Sequence, residues 1–167
     1  MLVGQVFSGS ALDAVGKDGA VPLPPFVRRA MESGGGAARM VVGAHETDPC
    51  LTVYEPGYAP VLRAEIERRR RRDEDAGAPA ESHHIRARRA FGFAEEAWVD
   101  SNGRLVLPPM MRRKGRIDGL ALFVGTGGTF EIWNPHVARE AGDEGLRELA
   151  EYRLTEAGRT FEEGEGA

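Results

Sequence analysis

Shifted against itself by 84 residues, the chain matches: Val15 falls on Val99, Gly19 on Gly103, Val21 on Leu105, and Leu23-Pro24-Pro25 on Leu107-Pro108-Pro109. The match continues without a gap through Phe26-Val27-Arg28-Arg29 and Met110-Met111-Arg112-Arg113, hydrophobic on hydrophobic and basic on basic. Further on, Leu51-Thr52-Val53-Tyr54-Glu55-Pro56 answers Phe130-Glu131-Ile132-Trp133-Asn134-Pro135 at an offset of 79, which leaves the first copy five residues longer and implies a loop that absorbs them. Units this short cannot bury a core alone, so the two copies are expected to intertwine into one domain.

Each copy opens on a hairpin signal. Asn102-Gly103, between Trp98–Ser101 and Arg104–Leu107, suits the positive φ angles of a type I′ turn, and Asp18-Gly19 holds the matching place. The Pro-Pro pair after each hairpin cannot continue a central ladder, and a short helical turn follows. Later strands are expected over residues 38–42 and 50–54, then 120–124 and 129–133. Pro60 suits the first turn of a helix running through Ile66 towards Arg72, which links the halves. Residues 73–82 read as an exposed loop before a second helix near 85–90. After Gly142, Leu146, Leu149, Tyr152 and Leu154 carry a weak helical period that dissolves towards a disordered end. The fold class is therefore α+β, mainly β, with flanking helices. Residues 5–78 form the first repeat and linker helix, 79–140 a helix and the second repeat, and 141–167 an acidic tail.

The formal net charge of −4 excludes a uniformly basic nucleic-acid binder, but the charges are segregated. From Glu140 onward nine acidic residues face three arginines, a net of −6, whereas Arg104 to Arg116 holds five basic residues and no acidic one. That stretch is a candidate phosphate-facing patch. The lone Cys50 allows no intramolecular disulfide and no cysteine-based zinc site, and the N-terminus lacks the pattern of a signal peptide. No run approaches the roughly 18 apolar residues of a membrane span. His83-His84 are adjacent, and His45 and His136 lack ligand partners at standard spacing, so all four read as surface histidines and no metal is implied. Cys50 reads as a small buried hydrophobe. Ser8 and Ser10 have no visible base, and neither Gly34-Gly35-Gly36 nor Gly125-Thr126-Gly127-Gly128 ends as a phosphate loop does. Nothing in the sequence points to an enzyme, a cofactor or a small-molecule substrate.

Asp100-Ser101-Asn102-Gly103-Arg104, Leu107-Pro108, Arg112, Val124-Gly125 and Phe130-Glu131-Ile132-Trp133 resemble the second half of MraZ proteins. Phe7-Ser8-Gly9, Leu23-Pro24, Arg28 and Asp48-Pro49-Cys50-Leu51 extend the resemblance over roughly residues 5 to 140. It implies a swapped-hairpin, AbrB-like barrel made from both repeats, assembled into closed homo-oligomeric rings in the cytoplasm and nucleoid. These bind double-stranded DNA at short direct repeats upstream of the division and cell-wall gene cluster, with the Asp-x-x-x-Arg element in contact. The intact copy here is Asp100 to Arg104. In the gap-free register the first copy has Gly16 where the family has Asp, and Asp18 and Ala20 where it has Lys and Arg. A rival register keeps Asp13, Gly16 and Lys17 in line but needs three inserted residues.

The candidate DNA-binding residues are thus Asp100, Asn102, Gly103 and Arg104 at the hairpin, with Arg112, Arg113 and Lys114 on phosphates. An arginine beside a hairpin tip can grip guanine bidentately while its aspartate orients the guanidinium; the plainer reading is an exposed ion pair, which contributes about 0 to 1 kcal/mol. Arg68 to Arg72 read as a solvated or subunit-contact face. Oligomerisation is also expected because strands such as Thr129–Trp133 carry more apolar surface than one small barrel should hide. The competing function is an assembly or protein-interaction module that kept the ring and lost DNA recognition.

Overall fold

The computed structural model describes residues 6–33 and 39–165. Short apolar runs bounded by Gly and Pro make eight strands: β1 Ser10–Ala14, β2 Ala20–Pro22, β3 Arg39–Ala44, β4 Leu51–Tyr54, β5 Ala94–Trp98, β6 Arg104–Val106, β7 Leu120–Gly125 and β8 Phe130–Trp133. Among the described residues six α-helices accompany these strands: α1 Pro25–Ser33, α2 Ala59–Asp75, α3 Ala80–Ala87, α4 Pro109–Lys114, α5 Pro135–Ala141 and α6 Glu144–Glu165. A proline stands in the first turn of α2, α4 and α5, where a missing N–H costs nothing.

The strands of the two copies interleave: the within-copy pairs β7-β8 and β4-β3 lie side by side, and each outer edge is a strand of the other copy. One antiparallel sheet has the order β1-β7-β8-β4-β3-β5, and β2 pairs with β6 in a separate ribbon. Val21 lies opposite Leu105, its own counterpart at offset 84, and Thr52 opposite Glu131, its counterpart at offset 79. Both pairs sit on an internal two-fold axis. Ser10 pairs with Val124 as Ala94 pairs with Gly43, so the symmetry reaches the sheet edges and puts β3 and β7 at an offset of 81. The five extra residues therefore fall in two places, three between α1 and β3 and two between β3 and β4, rather than in one loop.

Both faces of the sheet are covered. Val21, Val27, Leu51, Val53, Leu105, Met111, Phe123, Phe130 and Ile132 form a core drawn from both copies. On the other side Cys50, Leu122, Trp133, Ala138 and Ala150 pack with Leu12, Val124, Val137 and Leu146 beneath α5 and α6. Burial of each large side chain contributes about 1.5–3 kcal/mol. Phe130, Ile132 and Trp133 are fully buried within the single chain, so the apolar content of β8 gives no reason for oligomerisation.

Several expectations are corrected. The sheet does not close into a barrel: among the described residues no ladder joins β1 to β5, and the three-pair β2–β6 ribbon, bounded by Pro22, packs against both edges instead. Neither opening hairpin is a paired hairpin of its own copy. Beyond the turn, only the bridge Val99↔Leu105 links the arms of the second, because β6 pairs with β2. The turn itself is not type I′. Gly103 N–H donates to Asp100 O at 3.0 Å and Asp100 N–H to Arg104 O at 2.9 Å, which closes a three-residue loop with only Gly103 left-handed, at φ +74°. That is a type I turn followed by a glycine bulge. Residues 73–82 are mostly helical. Arg70 pairs with Glu67 and Glu74 along α2, which ends in a Schellman cap where left-handed Gly77 donates to Glu74 O and Ala78 to Asp73 O. The second helix begins at Ala80, earlier than expected, and runs into a π-helical turn at Arg88–Gly92. The tail does not dissolve either: Asp143 Oδ1 accepts from Leu146 N–H at 2.9 Å as an N-cap, and no proline follows to stop α6 before Glu165. Of the 38–42 strand, Ala38 lies outside the described residues.

Leu105→Ala, on the two-fold axis, is expected to lower unfolding free energy by about 2–5 kcal/mol in urea denaturation, whereas Trp98→Ala, at an exposed edge position, should change it by less than about 0.5 kcal/mol.

Candidate nucleic-acid interface

The second turn is built around one carboxylate. Asp100 Oδ1 accepts from the backbone N–H of Asn102 at 2.9 Å and of Arg104 at 3.0 Å, while Oδ2 accepts from Arg104 Nε at 3.0 Å. The Arg104 N–H, the Asn102 N–H and the guanidinium together hold the Asp100 carboxyl below the usual carboxylate range, with burial opposing only partly. Asn102 is exposed, and the Arg104 side chain is 43% exposed. Among the described contacts only its Nε is engaged, which leaves the two terminal amino groups for a base edge or a phosphate.

The first turn has the same backbone in the gap-free register. Gly19 is left-handed at φ +83°, Gly19 N–H donates to Gly16 O, and Gly16 N–H donates to Ala20 O. The rival register with three inserted residues is thereby excluded. The side chains differ. Asp18 Oδ1 accepts from Ala20 N–H at 3.1 Å, so the turn is held from position 18 rather than 16, and no guanidinium stands at the buried Ala20.

Arg112 sits differently from the phosphate contact expected of it. Its guanidinium donates to Lys17 O at 3.1 Å, Ile117 O at 3.3 Å and Asp118 O at 3.2 Å, clamping the first turn to the second copy. At its counterpart Arg28 only proximity is kept: the Cδ lies beside Gly103. Each turn thus has an arginine from a helix of the other copy next to its glycine, a relation between distant segments that no local sequence pattern carries. Arg113 and Lys114 are exposed, and Lys114 Nζ stands 4.1 Å from the centre of the Phe93 ring. Arg116 and Arg89 join them around one concavity.

His45 is half-buried rather than a free surface histidine, and lies with Cys50 and Glu131. Its Nδ1 accepts from the N–H groups of Thr47 and Asp48, so the ring proton is on Nε2, 3.4 Å from Glu131 Oε2. Burial, then the carboxylates of Glu131 and Asp48, push the Cys50 thiol up, and Glu131 also accepts from Trp133 Nε1 at 2.9 Å. His45 and Glu131 thus bring the residue after β3 against β8.

No family model matches the chain. It is 32% identical over 131 residues to the transcriptional regulator MraZ of Saccharophagus degradans, covering 77% of this chain and 82% of that protein. It is 30% identical over 157 residues to the transcriptional regulator MraZ of Ruegeria pomeroyi, covering 87% and 89%. The chain belongs to the MraZ family. Within this member of the MraZ family the Asp100–Arg104 turn carries the Asp-x-x-x-Arg pattern, and the matching Gly16–Ala20 turn does not.

Two measurements separate the arginines. Arg112→Ala should destabilise the fold by about 1–3 kcal/mol, because three backbone carbonyls lose a charged donor, while Arg104→Ala should leave the denaturation midpoint nearly unchanged. The Asp100 carboxyl, whose folded value is depressed, stabilises the turn at neutral pH, and that contribution fades as pH falls through the folded value. NMR titration should give an Asp100 midpoint below that of an unstructured peptide, and Arg104→Ala should move it only part of the way back, since the two N–H donors remain.

Proposed function

We propose that the chain is a transcription regulator that binds double-stranded DNA in sequence-specific fashion through the Asp100–Arg104 turn. The observation that carries this reading is the exposed guanidinium of Arg104, oriented by Asp100 through Nε with its terminal amino groups free, in a chain similar to proteins named transcriptional regulators. A guanidinium fixed this way loses little freedom on docking and suits the O6 and N7 acceptors of guanine in the major groove. Asn102 and Gly103 let the tip approach closely, and Arg113 and Lys114 add salt-sensitive affinity for phosphates. The fold is an AbrB-like pair of swapped hairpins, with residues 5–78 and 79–140 as the repeats and 141–167 as an acidic appendage. The protein acts in the cytoplasm at the nucleoid, as a homo-oligomeric ring on short direct repeats upstream of the division and cell-wall gene cluster. The ring multiplies modest contacts into useful avidity.

A second reading, an assembly module without sequence recognition, draws support from one observation: the first turn presents Gly16 and a buried Ala20 where an Asp and an Arg would stand.

Selection of bound fragments from a random DNA pool, then a salt titration on the winners, tests the choice. Enrichment of tandem short repeats is expected, with Arg104→Ala weakening binding by about 1–3 kcal/mol per contact while the mass in light scattering stays that of a ring. Unselective binding, unaltered in Arg104→Ala, favours the assembly module. A monomer mass at all concentrations refutes the ring.

A further inference from the structure

Four cations gather where the π-helical turn before β5 meets the end of α4. Arg89, Arg113, Lys114 and Arg116 line one concavity together with Pro49 and Met110, and no carboxylate is in its wall. Among the described residues, none of the four forms an ion pair; Arg89 spends one donor on His45 O at 2.6 Å. Four like charges on one hollow repel one another, an arrangement relieved by a polyanion.

A second concavity adjoins it, sharing Arg89 and Lys114; Ile85, Phe93 and Ala44 give it an apolar floor, and Arg88 adds a further cation to its wall. Ile85 is 55% exposed and covered by nothing described, and Lys114 Nζ stands over the Phe93 ring at the junction. A site for DNA backbone alone has no use for this shelf, whereas a ligand with a flat ring joined to phosphates uses both halves.

Backbone strain at the same place is the third observation. Arg116 has φ +53° and is the one left-handed non-glycine among the described residues. It occupies the position of a Schellman cap that glycine usually fills: Arg116 N–H donates to Arg113 O and Ile117 N–H to Arg112 O. Asn134 Nδ2 donates to Arg116 O at 2.9 Å and steadies the conformation. Arginine there carries a steric cost that glycine would avoid, and its side chain projects a charge into the basic hollow.

We propose that this double concavity binds a nucleoside polyphosphate, with the phosphates among Arg89, Arg113, Lys114 and Arg116 and the base on Ile85 and Phe93. Its regulatory consequence rests on the DNA-binding reading above: a ligand seated there takes Arg113 and Lys114 away from DNA phosphates and weakens DNA binding. Occupancy of the site does not depend on that reading.

Isothermal titration of the full chain without DNA, using ATP, GTP, adenosine and inorganic tripolyphosphate, decides it. A purine triphosphate should bind at least about tenfold more tightly than either tripolyphosphate or adenosine, since each of those fills only one half. Arg116→Gly relieves the left-handed strain, so the fold is kept, and it should weaken nucleotide binding about tenfold by loss of one charged contact. Ile85→Ser should remove the advantage of nucleotide over tripolyphosphate. Arg104→Ala should bind nucleotide as the parent does, whatever happens to its DNA affinity, so failure of the DNA reading and failure of this one are seen separately. No heat with any nucleotide at millimolar concentration overturns the proposal. Equal affinity for tripolyphosphate and ATP, with Arg116→Gly altering only DNA binding, also overturns it and leaves a plain phosphate-tracking surface.

Discussion

The β2–β6 ribbon is the joint on which the molecule depends. Val21 and Leu105, equivalent positions of the two copies, are hydrogen-bonding neighbours and both fully buried, so neither copy completes its own ladder. The same exchange recurs at Thr52 opposite Glu131 and sets the order of the six-stranded sheet. Hydrophobic burial stabilises the arrangement because each half supplies about half of the other's wall.

On this symmetric frame the two copies differ. Position 20 is a buried alanine where position 104 is a half-exposed arginine, and the carboxylate that holds the turn stands at position 18 in the first copy and at position 100, the counterpart of 16, in the second. Arg112 grips the first turn and Arg28 lies beside the second, so the same turn geometry is compatible with different displayed side chains.

The repeat was legible in the sequence because the residues that carry it are those the geometry constrains most: the left-handed Gly19 and Gly103, and the Pro24-Pro25 and Pro108-Pro109 pairs at the starts of α1 and α4. Strand exchange was not legible as a pairing, since hydrophobic alternation reports which face a strand buries but not its partner. Asn-Gly alone suits type I′, whereas the Oδ1 of Asp100, two residues ahead of Asn102, decides for type I. Charge without apolar periodicity suggests loop or tail at 73–82 and after Leu154, where ion pairs and an N-cap keep the chain helical. The apolar content of β8 is no excess, because α5 and α6 lie over the second face of the sheet. Within the candidate site, the Asp100–Arg104 pair stands four residues apart at a turn that the sequence marks with Asn102-Gly103, and its proposed role comes from the family resemblance. The inward role of Arg112 and the meeting of Arg89 with Arg116 depend on contacts between distant segments, which no local pattern encodes.

Interleaving also governs when the protein can exist. Ser10 pairs with Val124, 114 positions along the chain, and β4 waits for Phe130 to Ile132. During synthesis the first half emerges with the ladder partners of β1 and β2, and one of the two partners of β3 and of β4, still unmade, and closing such long loops precedes any gain from the contacts they enable. Folding therefore starts late and involves the whole chain, and until the ribosome has delivered β8 the nascent protein exposes open strand edges, the state in which it is most vulnerable to aggregation and proteolysis.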